Sequence, residues 1–188
     1  MLFVFLKRLL LITGIGALAY AGVLSAESYA IQHYKTLEFD QALKLRAPVP
    51  LADATPGAPI GKLTIPSVGI SAIVLEGDDG GTLNVAPGHI PGTALPGRNG
   101  NVAIAGHRDT FFRNLQSIRL GDSIQLRTLH GTYIYKVDST QVVDPSRTDV
   151  LLPSGASTLT LVTCYPFHFV GSAPKRFIVQ SHLVRPNS

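Results

Sequence analysis

The chain of 188 residues is long enough for one folded domain with short extensions, and its 45% apolar content excludes wholesale disorder. Its formal net charge of +4 comes from basic residues that are scattered along the chain and form no dense run with interleaved aromatics. Nucleic-acid binding is therefore not expected, whereas a mildly basic domain suits an anionic cell envelope.

The first 30 residues predict a transmembrane signal-anchor. The stretch from Leu9 to Leu24 has no charged residue, and it is preceded by Lys7 and Arg8 and followed by Glu27. Cations on the N-terminal side orient such a segment with its N-terminus in the cytoplasm. We therefore expect a single-pass protein of the cell membrane with its folded domain outside the cytoplasm. A cleavable signal peptide is the alternative, because the Ala-Tyr-Ala sequence at 19–21 resembles a cleavage site.

Composition divides the rest of the chain into a connecting segment, 31–59, and a folded domain, 60–188. The polar stretch from Ser25 to Leu45 is compatible with a helical stalk leaving the membrane. It is followed by Ala47–Pro59, which holds four prolines and no periodicity and is typical of an extended spacer.

The folded domain is a series of short apolar runs separated by Gly, Pro, Asn and Asp. Helical stretches are few, namely Thr82–Val85 and Thr110–Ser117, the second after a cap at Asp109. Leu129-His130-Gly131 predicts a hairpin turn between two alternating runs. So many short strands predict an all-β sandwich or closed barrel. The predicted strands are Lys62–Ile65, Ile70–Leu75, Asn101–Ala105, Ser123–Thr128, Thr132–Val143, Thr158–Thr163 and Arg176–Leu183.

Cys164 is the single cysteine, so it has no internal disulfide partner, although exported proteins normally pair their cysteines or lack them. One interpretation is a reactive thiol, and the other is a buried structural cysteine. Strand side chains alternate between faces. If the leucines at 159 and 161 fill the core together with Thr163, the Cys164 thiol points outward at the end of its strand. The same alternation places Phe177 and Val179 in the core and Arg176 on the outer face.

A thiol attacks a carbonyl as the thiolate, which requires a base or a cation nearby. His107 is the leading candidate, because it follows the strand-like run Asn101–Ala105 and lies on a loop, where substrate can reach it. His168 is a rival because it lies four residues from Cys164, and His89 is a weaker one. The residues alone leave this choice open.

Three motifs in this chain resemble those of sortases. Thr160–Cys164 reads TLVTC, the active-site signature of the family, Ala103–Arg108 resembles its histidine segment, and Lys175–Val179 resembles the stretch that holds its arginine. They occur in the family's order, His, Cys, Arg, and the resemblance covers roughly residues 60 to 185. The sequence CYPF that begins at Cys164, together with FVGSAP that begins at Phe169, is most similar to class D sortases.

The resemblance implies an eight-stranded closed β-barrel with one or two short helices and an N-terminal transmembrane helix. It also implies a cysteine transpeptidase that cleaves an LPXTG-like sorting motif between Thr and Gly through a thioacyl-enzyme. Cys164 would be the nucleophile, His107 the general acid and then base, and Arg176 the support of the substrate backbone and oxyanion. Thr163 and Tyr165, at the nucleophile, are the further expected substrate- and oxyanion-binding residues.

The implied partners are secreted proteins that bear a C-terminal sorting motif, an amine acceptor such as a peptidoglycan precursor, and the membrane. No cofactor is expected, and no His/Cys spacing suits zinc. Glu76, Asp78 and Asp79 offer oxygen ligands for calcium, although the glycines around them favour a solvated turn. Two alternative functions remain: a cysteine peptidase that hydrolyses the same motif, and a non-catalytic envelope domain tethered to the membrane.

Overall fold

The described part of the chain forms a long N-terminal helix and eight strands, with a short second helix between the second and third strands. A computed structural model describes residues 2–45, 55–153, 155–169 and 171–187. Three 3-10 turns, at Pro66–Val68, Arg113–Ser117 and Asp149–Leu151, lie in the connections. The elements are α1 (Leu2–Leu45), β1 (Pro59–Ile65), β2 (Ile70–Glu76), α2 (Gly80–Val85), β3 (Gly88–His89), β4 (Asn101–Ala105), β5 (Ser123–Thr128), β6 (Gly131–Val143), β7 (Thr158–Tyr165) and β8 (Lys175–Asn187).

The strands close into a barrel in the order β1-β2-β3-β4-β7-β8-β6-β5, which confirms the predicted eight-stranded closed barrel. The β2–β3 and β4–β7 pairs are parallel, and the other pairs are antiparallel. The hairpin turn predicted at Leu129-His130-Gly131 joins β5 to β6. Strand β3 was not predicted, because two residues are too few to show an alternating pattern.

Alternating apolar side chains from the strands fill the barrel. Leu63 and Ile65 of β1, and Leu159 and Leu161 of β7, are fully buried, as is Val179 of β8. Removing such a side chain from water contributes about 1.5–3 kcal/mol. These residues belong to one cluster that also holds Phe112 and Leu115 of the β4–β5 connection. The core therefore reaches from the barrel interior into the loop that follows β4.

The two helical predictions in the barrel domain have different outcomes. Thr82–Val85 lies within α2, whose N-terminus is capped by the Asp79 carboxylate through the backbone N–H groups of Gly81 and Thr82. The helix predicted over Thr110–Ser117 is only a 3-10 turn from Arg113, and the proposed cap at Asp109 is wrong. The residue that precedes this turn is Phe112, and no side chain caps it. Phe112 is itself fully buried in the core.

Helix α1 combines a candidate membrane span with a segment that packs on the barrel. The span is long and apolar enough to cross a membrane, and its apolar side chains are exposed, as at Leu18, whose exposed fraction is 75%. Nearer its C-terminus, Phe39 is buried against Ile73, Leu75 and Ala86. The predicted stalk is thus helical, and in addition it is docked. The proline-rich spacer lies largely outside the described residues, at 46–54.

Candidate active site

Cys164 and Arg176 lie directly opposite each other on neighbouring strands, near the end of the β7–β8 ladder. Side chains that face each other in an antiparallel pair have Cβ atoms roughly 5 Å apart and project from the same face. Thr163, beside Cys164, is buried inside the barrel, whereas Cys164 and Arg176 are only partly buried. The thiol and the guanidinium therefore share the outer face, as the alternation in the sequence predicts.

His107 follows β4, the strand that pairs with β7 on the side away from β8. The parallel register pairs Ala105 with Val162, and the Gly106 N–H donates to the Val162 carbonyl at 3.1 Å. Continuing this register for two more residues on each segment brings His107 level with Cys164. His107 is half-buried, and its ring has no hydrogen-bond partner among the residues that the structure describes. An imidazole at this position is free to exchange a proton with a reacting group.

The backbone on either side of His107 is held by buried neighbours. The Phe112 N–H donates to the His107 carbonyl at 3.0 Å, and the Thr163 hydroxyl donates to the Gly106 carbonyl at 2.7 Å. A Cβ added to Gly106 would lie 2.7 Å from the Phe112 ring, so this position requires glycine for close packing. The Phe112 ring thus leaves no room for a side chain at position 106 of the histidine segment.

The two rival histidines have partners elsewhere. His89 is buried, and its Nδ1 lies 2.6 Å from a Glu76 carboxylate oxygen while its Nε2 lies 3.0 Å from the Ala94 carbonyl. His168 is exposed, and its Nε2 lies 3.1 Å from the Gln116 side-chain oxygen. Of the three candidates, His107 alone combines a ring without a partner in the described chain with a position level with Cys164.

Arg176 retains hydrogen-bonding capacity on the outer face. Its Nη1 donates to the carbonyls of Ala173 and Lys175, at 3.2 and 3.0 Å. Neither Nη2 nor Nε has a partner within the described ranges. One nitrogen therefore fixes the guanidinium against its own backbone, while the other two nitrogens are available to a ligand carbonyl or oxyanion.

Thr163 and Tyr165, the further expected site residues, face away from the thiol. The Thr163 hydroxyl is buried and donates to Gly106, as described above. Tyr165 belongs to an aromatic cluster with Phe167 and Phe177, whose ring centroids lie 6.0 and 6.4 Å from that of Tyr165. A direct oxyanion-binding role for these two residues stays a prediction. In this structure both side chains pack behind the reactive face.

Arg108, for which the sequence predicts no role, is a buried part of this region. Its exposed fraction is 6%, and its guanidinium donates to the Pro166 carbonyl at 2.8 Å and to the Phe169 carbonyl at 2.7 Å. These carbonyls lie in the connection that follows Cys164. Burial of an arginine next to His107 has no signature in a single sequence, because loop residues show no periodicity.

Two of the three carboxylates considered for calcium, Glu76 and Asp79, are engaged by protein groups, and the third, Asp78, is exposed. Glu76 contacts His89, and Asp79 accepts from Thr82 and Gly81 at the start of α2. The hydrogen bonds from the Thr82 hydroxyl and N–H lower the pKa of the Asp79 carboxyl below its usual range. The described residues hold no group of three or more His, Cys, Asp or Glu side chains suited to a metal ion.

Comparison with known proteins places the chain in a family. A family model described as the sortase domain matches residues 63–184. Over 124 residues the chain is 36% identical to Sortase D of Bacillus subtilis, and over 129 residues it is 30% identical to Sortase A of Bacillus anthracis. The alignments cover 65% and 66% of this chain but only 63% and 60% of the two relatives.

Solved structures give the same result for the fold. A sortase D5 transpeptidase of Clostridium perfringens is 31% identical, with a TM-score of 0.70 over 79% of this chain and 94% of that one. Sortase A of Listeria monocytogenes is 25% identical, with a TM-score of 0.63 over 70% of this chain and 92% of that one. The barrel with its cysteine, histidine and arginine segments is that of a sortase, and the chain belongs to the sortase domain family.

Proposed function

We propose that this protein is a membrane-anchored cysteine transpeptidase that cleaves an LPXTG-like sorting motif between Thr and Gly and transfers the protein to an amine. The observation that carries the proposal is the geometry at the end of β7. Cys164 lies opposite Arg176 on β8, and His107 leaves β4 level with Cys164. Membership of the sortase family supports the same reaction.

In the proposed first step, the Cys164 thiolate attacks the carbonyl carbon of the motif threonine, and Nη2 and Nε of Arg176 donate to the developing oxyanion. The bond from that carbon to the glycine nitrogen then breaks, and the nitrogen leaves as an amine with a proton from His107. The products of this step are a thioester on Cys164 and a released C-terminal fragment. Preorganised donors at an oxyanion typically account for a factor of about 10²–10³ in rate.

In the proposed second step, an amine of the acceptor attacks the thioester carbonyl while His107 removes its proton. The new amide bond forms as the bond between carbon and sulfur breaks, which regenerates the Cys164 thiolate. The acceptor we propose is an amine of the cell envelope, such as that of a peptidoglycan precursor. A secreted protein bearing a C-terminal sorting motif is the proposed donor substrate.

The orientation of the anchor belongs to the same proposal. Lys7 and Arg8 lie on the N-terminal side of the apolar stretch, which favours a cytoplasmic N-terminus and a barrel outside the cytoplasm. The barrel contacts the C-terminal part of the same helix through Phe39, so in this proposal the barrel lies next to the extracytoplasmic end of the anchor. This position suits substrates that arrive through the membrane and acceptors that are part of the envelope.

The test uses the full chain in detergent micelles, with Cys164→Ala and His107→Ala as variants. Each is incubated with an LPXTG-like peptide, with and without a glycine-based amine, and the products are identified by mass spectrometry. We expect cleavage between Thr and Gly and an amine-ligated product, both abolished by Cys164→Ala and strongly reduced by His107→Ala. Cleavage without ligation would support hydrolysis instead. Products that persist in Cys164→Ala would refute the proposed nucleophile.

A further inference from the structure

The Arg108 side chain crosses from the loop after β4 to the connection between β7 and β8. Its Nη1 donates to the Pro166 carbonyl at 2.8 Å, and its Nη2 donates to the carbonyls of Phe169 and Gly171 at 2.7 and 3.1 Å. A charged side chain that is only 6% exposed is costly to bury unless its donors are satisfied. Here three backbone carbonyls satisfy two of its nitrogens.

The hydrogen-bond acceptors of Arg108 are backbone carbonyls and not a carboxylate. A carboxylate would be the usual partner for a buried arginine, and Asp109 is nearby, but its oxygen lies 3.6 Å from Nε and its side chain is 69% exposed. The short hydrogen bonds go instead to main-chain oxygens of one loop. The guanidinium also lies 5.8 Å from the centre of the Phe169 ring, which adds a cation–π contact to the same loop.

The position of Arg108 connects the three chain segments that carry the proposed chemistry. It follows His107 directly in the chain. The loop that it holds begins two residues after Cys164 and leads into Arg176. Within the part of the chain that the structure describes, Arg108 is the residue whose side chain joins the His107 loop to the β7–β8 connection by several hydrogen bonds at once.

We propose that Arg108 is a positioning residue that clamps the β7–β8 connection against the His107 loop and so preforms the surface on which the sorting peptide binds. This inference rests on the proposed function for its effect on substrate. Its structural part, the clamp itself, is independent of which reaction the protein catalyses. Because its two terminal nitrogens are engaged by carbonyls, Arg108 supports the backbone and does not contact the reacting atoms.

The planar fork of arginine explains why this residue type is needed. Two nitrogens at a fixed spacing reach carbonyls separated along the loop, whereas a lysine ammonium is a single point from which donors radiate. Arg108→Lys keeps the charge but loses the fork, and Arg108→Met keeps only the apolar stem. We therefore expect the lysine variant to lie between the wild type and the methionine variant.

The experiment measures hydrogen exchange and peptide kinetics on the full chain in detergent micelles. The variants are Arg108→Met and Arg108→Lys, and Arg113→Met is the matched control because Arg113 is exposed in the same connection. We expect amide exchange in residues 165–173 to rise at least tenfold in Arg108→Met and less in Arg108→Lys. Exchange in β5 serves as the reference, since general destabilisation would raise both regions together.

The kinetic expectation separates loop positioning from a loss of folded protein. A disordered binding surface should raise KM for an LPXTG-like peptide about tenfold or more in Arg108→Met, with a smaller change in kcat, whereas partial unfolding would lower kcat alone. Unchanged exchange at 165–173, or a KM within twofold of the control, would overturn the proposal. If the wild type cleaves no peptide, the proposed function fails, and the exchange measurement alone then decides whether the clamp exists.

Discussion

The two sides of this barrel differ in how completely their strands are paired. β7 and β8 are in register from Thr158–His182 to Tyr165–Lys175, so their backbones satisfy each other over eight residue pairs. β2 and β3 share only two pairs, Leu75–Gly88 and Glu76–His89. The first side presents Cys164 and Arg176 on its outer face. The second is covered by α1 and α2.

The difference shows what side chains are used for on each side. On the edge of β2 that faces β3, the backbone of Ile73 has no partner among the described strands and is bonded instead by Gln32 of α1. The Gln32 amide nitrogen donates to the Ile73 carbonyl at 3.2 Å, and its oxygen accepts from the Ile73 N–H at 2.9 Å. The buried Glu76–His89 contact ties the short β3 to β2. On the β7–β8 side the ladder itself is continuous over eight pairs, and Cys164 and Arg176 face each other within it.

The largest effect is expected on the fully paired side, from Arg176→Ala. Loss of an oxyanion donor should lower kcat/KM for a sorting peptide about 10²–10³-fold. The melting temperature should stay close to that of the wild type, because the side chain is only partly buried and bonds only to Ala173 and Lys175. Steady-state kinetics and thermal unfolding of the full chain in detergent measure the two quantities.

Lys175→Ala is the control for that measurement. This neighbour is half-exposed and pairs with Asp144 at 2.7 Å, away from the reactive face. A surface ion pair of this kind contributes about 0–1 kcal/mol, so both activity and stability should change little. Activity of Arg176→Ala within threefold of the wild type would contradict the role proposed for the guanidinium.

A smaller effect, on stability rather than activity, is expected from Glu76→Ala on the incompletely paired side. The change leaves the buried His89 Nδ1 without its partner and should lower the free energy of unfolding by about 3 kcal/mol. Asp78→Ala is the control: it removes a carboxylate at an exposed position two residues after Glu76, and it should change the free energy of unfolding very little. Equal melting temperatures for the two variants would show that the Glu76–His89 contact does not hold β3 in place.

Much of the β7–β8 side was predictable from the sequence, because alternation along a strand is a local property. The outward placement of Cys164 and Arg176 follows from the buried neighbours Leu161, Thr163 and Val179, and the structure agrees on each. Strand alternation alone does not distinguish His107 from His89 and His168 as the partner of Cys164. That distinction depends on the register between β4 and β7, which no local pattern encodes.

The features that sequence reasoning missed are contacts between distant segments. The docking of α1 through Gln32 and the clamp formed by Arg108 join residues 41 and 58 positions apart. Gln32 lies in a polar helical stretch, and Arg108 is the last residue of the histidine segment, but no local pattern at either position predicts its distant contact. In both cases the side-chain donors are satisfied by backbone carbonyls of segments that are distant in sequence.

The smallest effect is expected from Gln32→Leu, which tests whether α1 completes the edge of β2. Leucine has a similar size but leaves the N–H of the fully buried Ile73 unpaired, at a cost of about 1–3 kcal/mol. That cost should lower the melting temperature of the full chain in detergent by several degrees. Gln41→Leu, at an exposed position of the same helix, is the control and should leave it unchanged. Peptide cleavage should be unaffected by either variant, since β3 and β4 separate β2 from β7. Equal melting temperatures for Gln32→Leu and Gln41→Leu would mean that Gln32 does not support the barrel.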